Sequence, residues 1–505
     1  MTSRPRRALS VLLAFTSLLA TAACAPQNGR GVAFAVARPG RTESASSKTN
    51  IVLVLTDDLS KNLVQYMPNV LALQKEGTTF TNYTVTDSLC CPSRASMLKG
   101  QFPHNTGIFK NHGSDGGFRL FYSRGEEKST FATDLQAAGY RTAFLGKYLN
   151  EYQTKNPLGT GQPYVPPGWD QWFAGGNAYN NFNYTLNENN QVRAYGNKPQ
   201  DYLTDVLSAK ASDFITTSAA TGTPFMVEVS TYAPHSPYTP APRDAESFPG
   251  LKAPRTAAYN KLPSDAPAWL RQVKSLTAAR KARIDNEFRK RVQSVQSIDR
   301  MVGSLRATLT KAGVADRTVV VFASDNGYHM GEYRLPSGKQ TAFDTDINVP
   351  LVVAGAGVGA GRAVDAIVEN IDLRPTFADL AGLAQPGEVD GRSIRPLFDG
   401  ETPGGWRTTA LIEHRDPATD PLDPDYTYDS PNIPPAYDAL RTTRYTYVKY
   451  VDGSREYYDR KTDPLQLRNL ARTLTPARIA ELDKALVELT TCAGPEACWA
   501  AGRIS

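Results

Sequence analysis

"NIVLVLTDD", residues 50–58, is apolar at every position from Ile51 to Leu55 and stops at two adjacent carboxylates, Asp57 and Asp58. A run with no polar alternation fits a strand covered on both faces, as in a parallel sheet, better than one with a face in water. "RTVVVFASDNG" (317–327) repeats the design, with Asp325 and Asn326 at its end before a turn glycine, and "PFMVEVSTYAPH" (224–235) is a third such run ending at His235. In open α/β sheets the ligand crevice lies outside the carboxyl ends of the strands, so the three tips are expected to face one crevice. The stretch 278–312 carries Ile284, Phe288, Val292, Val295, Ile298, Val302, Leu305 and Leu309 at helical spacing. That stripe reads as core packing. The predicted fold is α/β: a large, mostly parallel sheet flanked by helices on both faces, plus a smaller C-terminal antiparallel sheet with one helix.

The chain is 505 residues long, 41% hydrophobic, with a formal charge of +6. This suits one large domain with a smaller one. Arg4, Arg6 and Arg7 account for part of the excess: without them 53 of the 56 basic residues face 50 acidic ones. No basic and aromatic tract calls for nucleic acid. Those three arginines precede the apolar run Ala8 to Ala23 and the small-residue stretch "LLATAACAP", the layout of an export signal and too short for a membrane span. Cys24 stands where a bacterial lipoprotein signal places its acylated cysteine, although Thr21 occupies the position usually held by Leu. Cleavage at an Ala-x-Ala site is the alternative. Contact with a membrane is expected only through a lipid anchor at Cys24. Residues 25–48 read as a polar tether, 49–404 as the main domain and 405–505 as a C-terminal subdomain.

In that last part "VDGS" looks like a hairpin turn between aromatic strands, and "TPARIAELDKALVELTTC" like a terminal helix. Cys492 and Cys498 are expected to form a local disulfide in an exported protein, with two free thiols as the alternative. The Pro- and Asp-rich stretch 416–436 reads as a long surface loop at the rim of the pocket.

Asp57, Asp58, Asp325 and Asn326 would put three negative charges and an amide oxygen into one partly desolvated place, which is unfavourable without a compensating cation. Oxygen ligands of this kind select Ca²⁺ or Mg²⁺ rather than zinc. A lone Asp-Asp pair is usually a turn or cap; two acidic strand ends together are a stronger signal. Cys90 and Cys91 in "SLCCPSRASML" (88–98) can be read as buried small hydrophobes, as half of a zinc site that lacks its other half, or as a thiol nucleophile beside Arg94.

The whole string decides between these: Cys90, one residue, Pro92, Ser93, Arg94, three residues, Leu98, one residue, Gly100. It resembles the sulfatase signature, in which the first cysteine is oxidised after synthesis to formylglycine (3-oxoalanine). "GKYLNEY" (146–152), "DYLTDVL" (201–207), "APHSPYTPAP" (233–242), "SDNGYHMGEYRLPSGK" (324–339), "NIDLRPTFADLAG" (370–382), "DGRSIRPLF" (390–398) and "EYYDRKTDPLQLRNLA" (456–471) follow in the order expected of that family. The resemblance is greatest to the branch of N-acetylglucosamine-6-sulfatases and extracellular heparan 6-O-endosulfatases.

The resemblance implies that Cys90 is modified by a formylglycine-generating enzyme, Cys91 being the variable position. It implies that Asp57, Asp58, Asp325 and Asn326 hold Ca²⁺, Mg²⁺ being the other candidate, together with an oxygen from residue 90. Arg94 would stabilise the nucleophile; Lys147, His235 and Lys339 would surround the sulfate; His329 would contribute nearby. Many arylsulfatases have His two residues after the lysine, where this chain has Leu149 followed by Asn150. A sulfate monoester is anionic, so fixed cations suit its transition state. The hydrate of an aldehyde attacks through one hydroxyl and releases sulfate through the other, which neither Ser nor Cys can do. His235 or His329 would serve as acid or base.

His104 and His112 read as structural, while His414 in "LIEHRD" and Asn111 stand evenly between structure and substrate contact. The expected partner is a sulfated carbohydrate or another sulfate ester. A phosphodiesterase or phosphonate monoester hydrolase of the same superfamily is the competing reading, and an inactive glycan-binding protein the third.

Overall fold

The computed structural model describes residues 48–415, 423, 425 and 433–504. The signal, Cys24, nearly all of the tether and most of the 416–436 stretch lie outside them. Along the chain run β1 (Asn50–Thr56), β2 (Gly77–Thr84), β3 (Arg141–Lys147), β4 (Gln171–Gly175), β5 (Thr185–Glu188), β6 (Gln191–Ala194), β7 (Phe225–Ser230) and β8 (Thr318–Ser324). There follow β9 (His329–Met330), β10 (Ser337–Gly338), β11 (Leu351–Gly355), β12 (Arg362–Glu369), β13 (Thr409–His414), β14 (Tyr437–Thr442), β15 (Tyr445–Tyr450) and β16 (Arg455–Asp459).

Ten of these form one sheet in the order β12-β2-β11-β8-β1-β7-β3-β4-β5-β6. β1 lies at its centre, parallel to both β7 and β8. β3 continues the parallel block through β7 and β4. β11 is antiparallel to β8 and β2, and β5 and β6 close the other edge as antiparallel strands.

The unbroken apolar run of β1 is explained by its two covered faces. Ile51, Leu53 and Leu55 enter one core with Ala95, Phe131, Phe377 and Trp172. Val52 and Val54 enter the other, with Leu207, Phe214, Phe288 and Val295. The period of two assigns alternate residues to opposite layers. Helix Ala278–Lys311 lays its whole predicted stripe, Ile284 through Leu309, into the second core.

The C-terminal sheet β13-β14-β15-β16 is antiparallel throughout. Val451–Ser454 forms the β15–β16 turn, and helix Pro476–Thr490 packs Leu482, Leu486 and Leu489 against Leu411, Leu440 and Tyr447. A second short helix, Pro495–Ala501, follows, tied back by the Cys492–Cys498 disulfide. Among the described residues no helix is long and apolar enough to cross a membrane.

Gly146, one residue before Lys147, has φ +104°, and a Cβ there would sit 1.8 Å from the Ser230 carbonyl oxygen on the neighbouring strand. Neither the backbone angle nor the contact tolerates a side chain. Gly146→Ala is therefore expected to cost about 3 kcal/mol or more of stability, read from the denaturation midpoint; a loss below about 1 kcal/mol would contradict the stated cause.

Candidate active site

Residue 90 opens the helix Cys90–Lys99, and each constrained position of the signature string has a physical task. Pro92 falls in the first helical turn, where its missing N–H costs nothing. Ser93 donates from Oγ to the Asp325 carbonyl. Its own backbone oxygen accepts from Asn370 Nδ2 at 2.9 Å, which anchors the turn. Arg94 follows residue 90 by four positions and so stands on the same face. Leu98 points into the core, and Gly100, at φ +67°, ends the helix in the left-handed conformation. The string thus describes a helix whose N-terminus presents residue 90 to the strand tips.

At those tips the predicted residues converge. Cys90 Sγ lies 3.4 Å from Asp57 Oδ1, 4.0 Å from Asp58 Oδ1 and 2.9 Å from Lys339 Nζ. Lys339 Nζ also donates to Asp58 Oδ1 at 2.7 Å, and Lys147 Nζ to Asp57 Oδ2 at 2.7 Å. Arg94 donates from Nε to Asp325 Oδ2 at 2.7 Å and from Nη1 to the Lys147 carbonyl at 2.7 Å. His235 Nε2 is 3.7 Å from Asp58 Oδ2, while its Nδ1 is 2.9 Å from the Ser236 carbonyl. All of these side chains are buried.

Asp58 adopts φ +63°, an uncommon conformation for a non-glycine residue. Its N–H donates to Asp325 Oδ1 at 3.1 Å, and the guanidinium of Arg291 donates to its carbonyl. Such strain is sustained only where surrounding contacts fix it.

The electrostatics follow from burial opposed by ion pairing. Burial pushes the Asp57 carboxyl up, yet Lys147, His235, Arg94 and Lys339 together hold it well below the usual carboxylate range. For Asp325 burial prevails, helped by Asp57, and its carboxyl is raised despite Arg94. Burial and Asp57 push the Cys90 thiol well up. Lys147 is drawn down by burial and drawn up further by Asp57.

The donor set fits a divalent cation. One ligand atom each from Asp57, Asp58, Cys90 and His235 lies within 4.8 Å of the others, and Asn326 Oδ1 is buried without a hydrogen-bond partner. Asn326 Nδ2 donates to Asp58 Oδ1 at 2.7 Å, which ties this amide to the carboxylate cluster. A hard cation accepts such oxygens.

His329 reaches the wall of the cleft rather than the sulfur: Nδ1 is held by Asp346 at 2.9 Å, and its ring borders Gly338. His104 bridges Glu413 and the Cys492 carbonyl, 2.8 Å from each, as a structural tie. His112 lies 3.7 Å from Glu151. His414 is buried against Tyr437 and 3.8 Å from Asp87. Asn111 takes a place in the site: Oδ1 accepts from the Cys91 N–H at 3.0 Å and Nδ2 donates to Asp425 Oδ2 at 2.9 Å. Leu149 is core, and Asn150 is buried with Oδ1 unpartnered.

Three residues escape the sequence reading. Tyr179 lies 4.6 Å from the His235 ring, with Lys147 Nζ 5.1 Å above its own ring. Arg291 interrupts the apolar stripe of the long helix, and this fully buried charge at a core position is the sequence signal of its bond to the Asp58 carbonyl. Asp425, inside a stretch read only as rim, brings its carboxylate to Lys339 and His235. Asp58, Tyr179, Lys339 and Asp425 line a cleft of about 890 Å³, walled also by Tyr238, Tyr328 and the start of the long helix.

The sulfatase family model matches residues 49–383, and one described as N-sulphoglucosamine sulphohydrolase, C-terminal, matches residues 331–491. The N-acetylglucosamine-6-sulfatase of Homo sapiens is 34% identical over 478 residues, covering 90% of this chain and 86% of that protein. The extracellular sulfatase SULF-1 homolog of Drosophila melanogaster is 34% identical over 378 residues, 72% of this chain and 33% of that one. A solved protein in complex with its substrate D-glucosamine-2-N,6-O-disulfate shares the fold at a TM-score of 0.72 and 23% identity, covering 87% of this chain and 97% of that chain. With two thirds of its length matched by that family model and nearly all of it aligned with a curated sulfatase, the chain belongs to the sulfatase family.

Proposed function

We propose that the chain hydrolyses a sulfate monoester on a sulfated sugar or glycan, with N-acetylglucosamine 6-sulfate as the first candidate. The observation that carries this is the convergence of Arg94, Lys147, His235 and Lys339 with Asp57 and Asp58 around the side chain of residue 90. The curated relatives named N-acetylglucosamine-6-sulfatase, and the glucosamine disulfate substrate bound by the structural neighbour, support the sugar.

Residue 90 is proposed to mature from Cys to formylglycine through a formylglycine-generating enzyme, its hydrate supplying the attacking hydroxyl. Asp57, Asp58, Asp325 and Asn326, with residue 90, would hold Ca²⁺, or Mg²⁺ in its place. When bound, such an ion draws charge from the nucleophile and the sulfate oxygens. The chain's own residues supply the rest. Arg94, fixed by Asp325 and two further acceptors, places a cation one helical turn from the nucleophile. Lys147 and Lys339 present ammonium groups to the sulfate oxygens, in a water-poor setting where fixed charge counts most. His235 gives its Nδ1 hydrogen to the Ser236 carbonyl, which aims Nε2 into the site to protonate the leaving oxygen. His329, oriented by Asp346, borders the sugar side of the cleft.

Residues 49–404 would form the catalytic part and 405–505 the subdomain that completes the pocket. The export signal, and the extracellular relative, support a protein working outside the cytoplasm, with a lipid anchor at Cys24 as one form of attachment.

The test compares p-nitrophenyl sulfate with phosphate mono- and diesters on metal-loaded protein from a host that makes formylglycine. Sulfate ester kcat/KM should exceed that for the phosphoesters by about 10²-fold or more. A preference for the diester or a phosphonate would instead favour the other hydrolases of the superfamily.

A further inference from the structure

We propose that Asp425 is an internal competitor for the substrate's anion, and so a residue that sets how tightly the site holds sulfate esters. The inference rests on the functional reading above. Its carboxylate stands where an oxyanion would be bound: Oδ2 is 3.0 Å from Lys339 Nζ and 3.8 Å from Cys90 Sγ, and Oδ1 is 3.2 Å from His235 Nε2. Asn111 Nδ2 donates to it at 2.9 Å. Lys339 Nζ has three hydrogens, and Asp58 Oδ1, Cys90 Sγ and Asp425 Oδ2 occupy three contacts around it, while His235 Nε2 offers a single N–H that faces Asp425 Oδ1, so an entering ester finds these donors taken.

The placement is built rather than incidental. The backbone N–H of Asp425 donates to Asp423 Oδ1 at 2.9 Å, and Asn111 Nδ2 reaches the same Asp423 oxygen at 3.1 Å. The Asp425 side chain is only 9% exposed. Asn111 also holds the Cys91 N–H, so the Asp423–Asp425 pair is tied to the first turn of the nucleophile helix.

The charges agree. Asp57, Asp58, Asp325 and Asp425 are four carboxylates in contact with the three fixed cations Arg94, Lys147 and Lys339. Asp425 is the one that touches Lys339 from the cleft side without belonging to a strand tip. A monoanionic ester entering there must displace it or accept a like charge beside its own, either of which weakens binding. An enzyme so equipped binds neutral-sugar sulfates and free sulfate product less tightly than its cations alone would allow.

The experiment uses the full, metal-loaded, formylglycine-bearing enzyme with p-nitrophenyl sulfate as substrate and inorganic sulfate as inhibitor. Asp425→Asn should lower the sulfate inhibition constant and KM by about tenfold each, raising kcat/KM. Asp423→Ala, which removes the acceptor of the Asp425 N–H and so loosens Asp425 without removing it, should move both constants the same way by a smaller factor. Unchanged or higher constants in Asp425→Asn, or a fall in kcat of more than tenfold, would overturn the proposal and make Asp425 a positioning residue or ligand. Wild-type enzyme that neither turns over the ester nor is inhibited by sulfate would overturn the functional reading and this one with it, whereas an active, sulfate-inhibited wild type with no tightening in Asp425→Asn sinks this one alone.

Discussion

Cys90→Ser is expected to leave the protein folded and to reduce sulfate ester turnover by about 10³-fold or more. The two side chains differ by one atom of similar shape, and a hydroxyl can keep the contacts of the thiol with Asp57 and Lys339. Stability should therefore change by less than about 1.5 kcal/mol. The loss is chemical. Burial and Asp57 keep the unmodified thiol well above its ordinary pKa, so cysteine itself is a poor nucleophile here. Serine has one hydroxyl, so after accepting a sulfuryl group it holds no second hydroxyl to expel sulfate, and each molecule stops after a single event. Thermal midpoint and circular dichroism check the fold; a stoichiometric burst without further release checks the chemistry. Mass spectrometry of the wild-type peptide carrying residue 90 should show formylglycine. Multiple turnover by the serine variant near the wild-type rate would refute the role given to residue 90.

Much of this architecture is legible in the sequence alone. β1 and β8 could be read because both faces of a central strand are buried, which removes the alternation and leaves a plain apolar run ending in acid. The placement of Cys90 and Arg94 beside the acidic strand tips was legible through the resemblance of their string to the sulfatase signature, whose constrained positions open a helix at residue 90. The helix after the terminal strands and the Cys492–Cys498 bridge were local enough to read as well. Asp425 was not, since nothing in a Pro- and Asp-rich stretch marks which of its carboxylates meets Lys339 and His235. Tyr179 was hidden in the same way: its relation to His235 and Lys147 depends on three separate segments meeting. The antiparallel placement of β11 inside the parallel block also has no local signature, because an all-apolar strand reads the same in either direction.

Arg94 gives the second large effect, and here activity and stability should separate. Arg94→Ala leaves Asp325 buried beside Asp57 with its 2.7 Å ion pair gone. An unpaired buried carboxylate costs about 3 kcal/mol or more, and the loss of a fixed cation at the nucleophile should lower kcat/KM by about 10³-fold. Arg94→Lys keeps a charge but cannot hold Asp325, the Lys147 carbonyl and Ser230 at once, because an ammonium lacks the planar fork. That variant should recover most of the stability yet remain about 10²-fold slow. The pH profile carries the sign. Burial already raises the Asp325 carboxyl, and Arg94 is the largest influence lowering it. Removing Arg94 must raise it further, so the ionised form is reached only at higher pH and the acid limb of kcat/KM moves upward. A limb that moves downward, or Arg94→Ala activity within tenfold of wild type, would show that this guanidinium serves the fold alone.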